Sequence, residues 1–379
     1  MSLGILRLTA LLLTLSVFSS QSIAGVLATG YFDNTVYRFD DFGSVTNTFV
    51  LETTGFAGLS GIAVDPATGR AYASGRENNR IYVFDNNTGA PIAVTPTGTA
   101  GLFLNSGVSA PTGLAVRDGK LYVANNGGTN SMTGQPVYNG TSISVFSVST
   151  GLLLSTISDT PGAGILIGPS GLTFQADGSL LATSAAGNGV VKVSTTGSIS
   201  SFASPTAAGP YLPNGIAVAT DGSVFVADVF STTGVNGVFK YNSSGVNLGT
   251  AGGPSIVLDP LFPAPGTPNP SFGLSKGVSG LAFDSNGNLF VAALGATNPL
   301  PIAFGGEGLA NGALFRVNAS DGSITIFATR FSPLSAVAIQ AVPEPSSIAL
   351  VGIFAAGMVR IHLRRVARSK AANKELPVV

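Results

Sequence analysis

"PNGIAVATDGSVFVAD", Pro213–Asp228, sets the reading of the whole chain. An alternating apolar run reaches an Asp-Gly turn, and a second apolar run leaves it. Alternation on both sides of a Gly-closed turn is the mark of a β-hairpin. Four other stretches are variants of it: "LSGIAVDPATGRAYAS" (Leu59–Ser74), "PTGLAVRDGKLYVAN" (Pro111–Asn125), "PSGLTFQADGSLLATS" (Pro169–Ser184) and "VSGLAFDSNGNLFVAA" (Val278–Ala293). Their shared glycines, Gly61, Gly113, Gly171, Gly215 and Gly280, lie 52, 58, 44 and 65 residues apart. Spacing of this size is the sign of a repeat architecture.

Each hairpin is followed by a third strand-like run that ends at a polar turn, such as "RIYVFDNNTG" (Arg80–Gly89) or "GVFKYNSSG" (Gly237–Gly245). A fourth short run, such as "SITIFAT" (Ser323–Thr329), usually comes next, and no stretch of the body has helical periodicity. The two ends complete the count. Val26–Val50 matches the second, third and fourth strands of the repeat and lacks the first. Leu334–Gln340, "LSAVAIQ", matches a first strand and stops, with Ala336 at the glycine position. We therefore expect an all-β, six-bladed β-propeller over residues 25–341, closed by pairing this C-terminal strand with the N-terminal blade. Radial closure leaves only short, protected edges, whereas an open stack needs polar capping repeats, and none is visible. A β-helix or a pair of sandwiches are the alternatives.

The wording P-x-G-I-A-V-x-x-D-G-x-V-F-V-A-D resembles the NHL repeat and its lactonase-like relatives, over Val26 to Gln340. The resemblance implies the propeller and says little of activity, because one scaffold carries many. In the lactonase-like enzymes a divalent cation at the channel mouth is held by carboxylates and amides at the residue before the shared glycine. Here that position holds Ser60, Thr112, Ser170, Asn214, Ser279 and Ser335. Asn214 alone is of the implied ligand type, and one neutral amide among hydroxyls lacks the charge a divalent ion needs. We expect no metal and no cofactor. Asn214, with Asp228 of "VFVAD", is a candidate ligand contact at the mouth.

Residue inventory narrows the chemistry further. The chain has no cysteine, and its one histidine, His362, lies near the C-terminus. The body thus lacks imidazole and thiol, which removes Ser-His-Asp and Cys-His nucleophile systems. "DNNTG" (Asp85–Gly89) and "DSNGN" (Asp284–Asn288) echo calcium loops, but each sits where the repeat places a turn, and Asp and Asn cap such turns. Tyr31, Tyr37, Tyr72, Tyr82 and Tyr122 read as packing residues, with a tyrosine platform for sugar as a second use. Three longer excursions interrupt the repeat, at Asn125–Gly140, Gly252–Gly277 and Gly295–Gly312, and long loops on a propeller rim are where binding is expected.

Charge is scarce at 9% of residues, while glycine reaches 50 and proline 22, as many tight turns require. From Gly25 to Val342 there are 11 basic and 16 acidic residues, a balance of −5. That is no footprint for nucleic acid. At the N-terminus, Arg7, the apolar run Leu8–Phe18 and the small residues Ser22 and Ala24 read as a signal peptide over residues 1–24.

After the body comes "VPEPSSIALVGIFAAGMVRIHLRRVARSK" (Val342–Lys370). Prolines 343 and 345 break regular structure, the uncharged run 346–359 is short for a span but becomes a transmembrane helix over about 346–363 if Arg360 and His362 snorkel to the interface, and Arg360, Arg364, Arg365, Arg368 and Lys370 form a basic stop signal. Positive charge on the cytoplasmic side puts the body outside, in agreement with the N-terminal signal. Pro343, Glu344 and Pro345, with the span and the arginines, resemble the PEP-CTERM sorting signal of Gram-negative bacteria. That resemblance implies a segment over residues 342–370 read by an exosortase, an inner-membrane precursor, and a mature protein at the cell surface or in the extracellular matrix. The tail at residues 371–379 departs from the pattern, which usually ends near the arginines. The expectation is an exported, exosortase-sorted binding or scaffold protein of the envelope, extracellular polysaccharide or biofilm matrix, a non-enzyme rather than an enzyme. A sugar- or lactone-acting hydrolase with a carboxylate and cation site in the channel, and a permanently anchored partner-binding protein, are the rivals.

Overall fold

The computed structural model describes residues 25–340, apart from 54, 56, 95–96, 130–135, 160–163, 205–209, 211, 230–236, 250–255, 258–276 and 294–311. The expected signal peptide, sorting segment and membrane helix lie outside the described residues, among which there is no helix.

Strands follow the hairpin pattern of the sequence. β1 (Val26–Gly30), β2 (Thr35–Phe39) and β3 (Val45–Val50) begin the first sheet. Blade 2 is β4 (Leu59–Asp65), β5 (Arg70–Gly75), β6 (Arg80–Asp85) and β7 (Leu102–Leu104). Blade 3 is β8 (Pro111–Arg117) and β9 (Lys120–Asn125), then a short ribbon of β10 (Gly128–Thr129) and β11 (Pro136–Val137), then β12 (Ser142–Ser147) and β13 (Leu153–Ser158). Blade 4 holds β14 (Pro169–Phe174), β15 (Leu180–Ser184), β16 (Gly189–Val193) and β17 (Ile199–Ala203). Blade 5 holds β18 (Pro213–Val218), β19 (Val224–Asp228), β20 (Gly237–Tyr241) and β21 (Ile256–Val257). Blade 6 holds β22 (Val278–Phe283), β23 (Leu289–Ala293), β24 (Gly312–Val317) and β25 (Ile324–Phe331). The last strand, β26 (Leu334–Ile339), pairs antiparallel with β1 and makes blade 1 four-stranded, in the order β26-β1-β2-β3. Six four-stranded sheets therefore close as a propeller, and the first and last strands of the body meet as expected.

Burial falls from the middle of each blade to its outside. The second strands β1, β15, β19 and β23 are buried at every position. They are covered by a neighbouring blade on each face, which is why they read as continuous rather than alternating apolar runs. The outermost strands β3 and β13 are exposed almost throughout. The apolar side chains form six separate clusters, and each cluster joins two adjacent blades. Phe290 of blade 6, for example, packs with Phe39 and Leu334 of blade 1. No blade owns a core of its own, so each is held by its neighbours.

The centre is set by the innermost strands. In all six blades the pairing of first and second strands shifts register beside the shared position, which is a β-bulge. A Cβ at Gly61 would overlap the carbonyl oxygen of Thr112 in the next blade, and one at Gly113 would overlap that of Ser170. Backbone meets backbone there, and only glycine leaves room. The bulge frees an N–H that a second-strand hydroxyl takes. Gly61 N donates to Ser74 Oγ at 2.8 Å, and Ser74 Oγ donates on to Thr112 O at 2.6 Å. Gly171 N, Thr183 Oγ1 and Asn214 O repeat the relay with both steps at 2.7 Å.

Turn aspartates tie the hairpins from the opposite side of the sheet. Asp85 accepts from the backbone N–H groups of Asn87 and Thr88, and Asp284 from those of Asn286 and Asn288, so both calcium-like motifs are occupied in turns. Hydrogen bonds hold several of these carboxyls below the usual range: Asp85 by the Thr88 N–H, Asp177 by the Ser179 hydroxyl and then Lys192, Asp221 and Asp321 by the N–H of Ser223 and Ser323.

A depressed carboxyl contributes stability that is complete above its unfolded value, about 4, and is lost as the pH falls below it. The melting temperature should accordingly hold steady from about pH 7 to 5 and decline below about 4, with a shallower decline in Asp85→Asn. The central contact has its own test. Gly113→Ala should cost about 3 kcal/mol, the range of severe overpacking. Gly119→Ala, at a positive-φ turn with nothing near, should cost about 1 kcal/mol. Equal melting temperatures for the two variants would remove the close-approach argument.

Candidate functional site

The connections from second to third strand, and those that lead into each first strand, leave the same face of the ring, as up-and-down pairing requires. All three excursions expected from the sequence depart from this face. Most of the second, from residue 258 to 276, and nearly all of the third, 294–311, lie outside the described residues. The first contributes Asn126 and Tyr138 to a cavity of about 280 Å³ on this face, over the channel.

The six positions before the shared glycine ring the channel. Ser60, Ser170, Asn214, Ser279 and Ser335 line a narrow opening of about 60 Å³ along it, and Thr112 joins Ser60, Ser170, Asn214 and Ser335 in the larger cavity. Most of these hydroxyls serve the ring itself. Thr112 Oγ1 donates to Pro169 O at 3.0 Å, Ser279 Oγ to Leu334 O at 2.7 Å, and Ser335 Oγ to Leu59 O. Ser170 Oγ accepts from Asn126 Nδ2 at 2.9 Å. Ser60 and Asn214 make no side-chain hydrogen bond among the described residues, and they stand on blades 2 and 5, opposite each other across the ring.

Asn214 is half-buried and lines both the cavity and the channel. Asp228 is placed differently: it is 1% exposed, accepts from Leu212 N at 2.9 Å, and is not among the lining residues. It orders the approach to β18 and raises the Tyr241 phenol, on top of the larger effect of burial.

A second ring of positions, which the motif reading passed over, builds the wall. Tyr31, Arg76, Asn126, Ala185 and Val229 are each the first residue after a second strand, and all five line the cavity. The signal was present in the repeat: the residue that follows the second apolar run. Tyr31, read as packing, is here a wall residue, while Tyr72 and Tyr82 are buried between blades as expected.

On one side the wall is a polar chain that crosses four blades. The Tyr31 hydroxyl donates to Glu77 Oε1 at 2.7 Å, and Arg76 Nη1 donates to the same oxygen at 2.7 Å. Arg76 Nη2 reaches Asn126 Oδ1 at 3.4 Å, and Asn126 Nδ2 passes to Gly168 O, Pro169 O and Ser170 Oγ at 3.1, 3.1 and 2.9 Å. The guanidinium lies 6.0 Å over the Tyr138 ring. Burial is the main cause that raises the Tyr31 and Tyr138 phenols, and hydrogen bonding to Glu77 adds to it at Tyr31. Both stay protonated, and that of Tyr31 donates to Glu77. The other side, with Ala185, Leu212, Pro213 and Val229, is apolar. Among the described residues, no carboxylate, histidine or cysteine lines the cavity, and no cluster of three or more potential metal-ligating side chains occurs.

The fold is shared with solved structures. A streptogramin B lyase is 15% identical, with 82% of this chain and 81% of that one covered at a TM-score of 0.51. A protein of unknown function from Bacteroides caccae is 14% identical, with 83% and 98% covered at 0.52, and a nidogen/laminin complex is 12% identical, with 84% and 98% covered at 0.54. They share the fold alone. No protein-family model and no curated protein matches the chain.

Asn126 is the member of the wall whose loss should be felt most, because its two amide N–H groups are shared among three acceptors of blade 4 and its Oδ1 accepts from Arg76 of blade 2. Asn126→Ala should cost about 2–3 kcal/mol, the penalty of leaving buried polar groups unpaired. Asn214→Ala should stay within about 0.5 kcal/mol of wild type. Thermal melts of the two variants, side by side, check the assignment.

Proposed function

We propose that this chain is an exported binding module of the cell envelope or extracellular polysaccharide matrix, in which the propeller holds a ligand in the mouth cavity. The observation that carries the reading is the composition of that cavity. Among the described residues its wall offers one buried cation, three aromatic rings, amides and hydroxyls, and no side chain suited to act as nucleophile or general base near neutral pH. Apolar walls with a few convergent polar groups are the make-up of a small-ligand site. The hydroxyl-rich ring around the channel likewise lacks the negative charge on which a lactonase-like cation site would depend.

Delivery belongs to the same proposal. Residues 1–24 direct export, and the body faces away from the cytoplasm with residues 346–363 in the inner membrane. An exosortase reads Pro343-Glu344-Pro345, and removal of the tail releases the propeller to the surface, where acidic or neutral polysaccharide is the partner it meets. Arg360, Arg364, Arg365 and Arg368 hold the precursor until then.

Processing is open to a direct test. Intact mass of the surface-recovered protein should lack Arg364 and Arg365, and Glu344→Ala should leave tail-bearing precursor in the membrane fraction. A surface form that keeps the arginines would replace sorting by permanent anchoring.

A further inference from the structure

Arg76 is 6% exposed and still in the cavity wall. A guanidinium has five N–H donors. One goes to Glu77, one to Asn126, and the Tyr31 hydroxyl lies within hydrogen-bonding reach of the guanidinium, which leaves two without a partner among the described residues. A buried cation with donors to spare is costly unless something completes its bonding. Glu77, held from a second direction by Tyr31, fixes the plane of the fork, and it is not itself a lining residue. Among the described residues the cavity therefore presents oriented donors and no lining carboxylate to oppose an anion. Planar, forked donors of this kind suit a carboxylate better than any point charge does.

The rest of the wall limits what can carry that carboxylate. Tyr31, Phe32 and Tyr138 offer ring surface on the arginine side, onto which the C–H face of a flat, saturated ring packs. Ser60 and Asn214, on opposite blades and with no side-chain hydrogen bond among the described residues, suit hydroxyl groups on the ligand. A cavity of about 280 Å³ is at the lower limit of small-ligand sites, which leaves space for one ring rather than a string of them.

We infer that the mouth cavity binds a hydroxylated ring bearing a single carboxylate, a uronic acid sugar, with the carboxylate on Arg76 and the hydroxyls on Ser60 and Asn214. The inference rests on the reading of this cavity as a binding site. It assigns recognition to local hydrogen bonds, because a body with a balance of −5 does not draw in an anion from a distance. Added salt therefore leaves the affinity unchanged or raises it, the reverse of a patch that works by attraction alone.

The test uses the full chain in detergent, with sodium glucuronate, glucose and a polyuronate as probes. Ligand binding to the native state raises its melting temperature. Glucuronate should raise it, and glucose should bind at least about tenfold more weakly, the ratio set by about 1.4 kcal/mol of lost bonding. Asn214→Ala, whose own stability is expected to match wild type, should weaken glucuronate severalfold, and Arg76→Lys about tenfold because the fork is lost while the charge stays. Response to the free sugar alone identifies a small sugar acid, and response to the polymer alone a residue within a chain; either supports the assignment. Equal binding of glucose and glucuronate overturns the carboxylate assignment and leaves a binding module standing. No response to any probe from the wild-type protein overturns the inference, while the proposed export and sorting are judged separately by the fate of Glu344→Ala.

Discussion

Backbone against backbone at the centre of the ring is the constraint on which the structure depends. Six first strands converge there, each bulged at the same place, and the shared glycines let the carbonyl of one blade occupy the space where a side chain of its neighbour would be. The freed N–H groups cannot be left bare in so dry a place, and the hydroxyls of Ser74 and Thr183 take them up and hand the bond to the next blade. The sixth position, Ala336, is the exception. It belongs to the strand that closes the ring, where Ser335 joins Thr29 in its own blade and Leu59 in the next.

Closure also decides where the apolar energy goes. With every cluster shared between two blades, an open ring would expose one whole interface and leave the flanking second strands wet on a face built for burial. β26 prevents this. Its pairing with β1 joins residues more than 300 positions apart, so a late contact completes the sheet that the first strands begin. Contacts of such separation are slow to form and are rewarded only at the end, which makes closure a cooperative event.

The same geometry explains why the mouth is polar on one side and apolar on the other. The residues just after the second strands all point to one face, but their identities differ from blade to blade: Tyr31, Arg76 and Asn126 on three successive blades, Ala185 and Val229 on the next two. A symmetric scaffold thus carries an asymmetric site. The chain of bonds from Tyr31 to Ser170 does two jobs, since it pins four blades together and fixes the guanidinium in place.

Sequence alone determined the repeat, the missing strand at one end and the spare strand at the other, because period-two alternation and Asp-Gly turns are local properties that each segment writes for itself. It also located the six channel positions, since five sit just before a shared glycine and the sixth, Ser335, at the matching place before Ala336. Only the tertiary structure decided that most of their hydroxyls are consumed between blades, that Asp228 turns inward to cap Leu212, and that Tyr31, Arg76, Asn126 and Tyr138 share one wall. These four are dozens of residues apart and carry no common letter. What unites them is a place in a closed ring, and a place of that kind exists only after the first strand and the last have met.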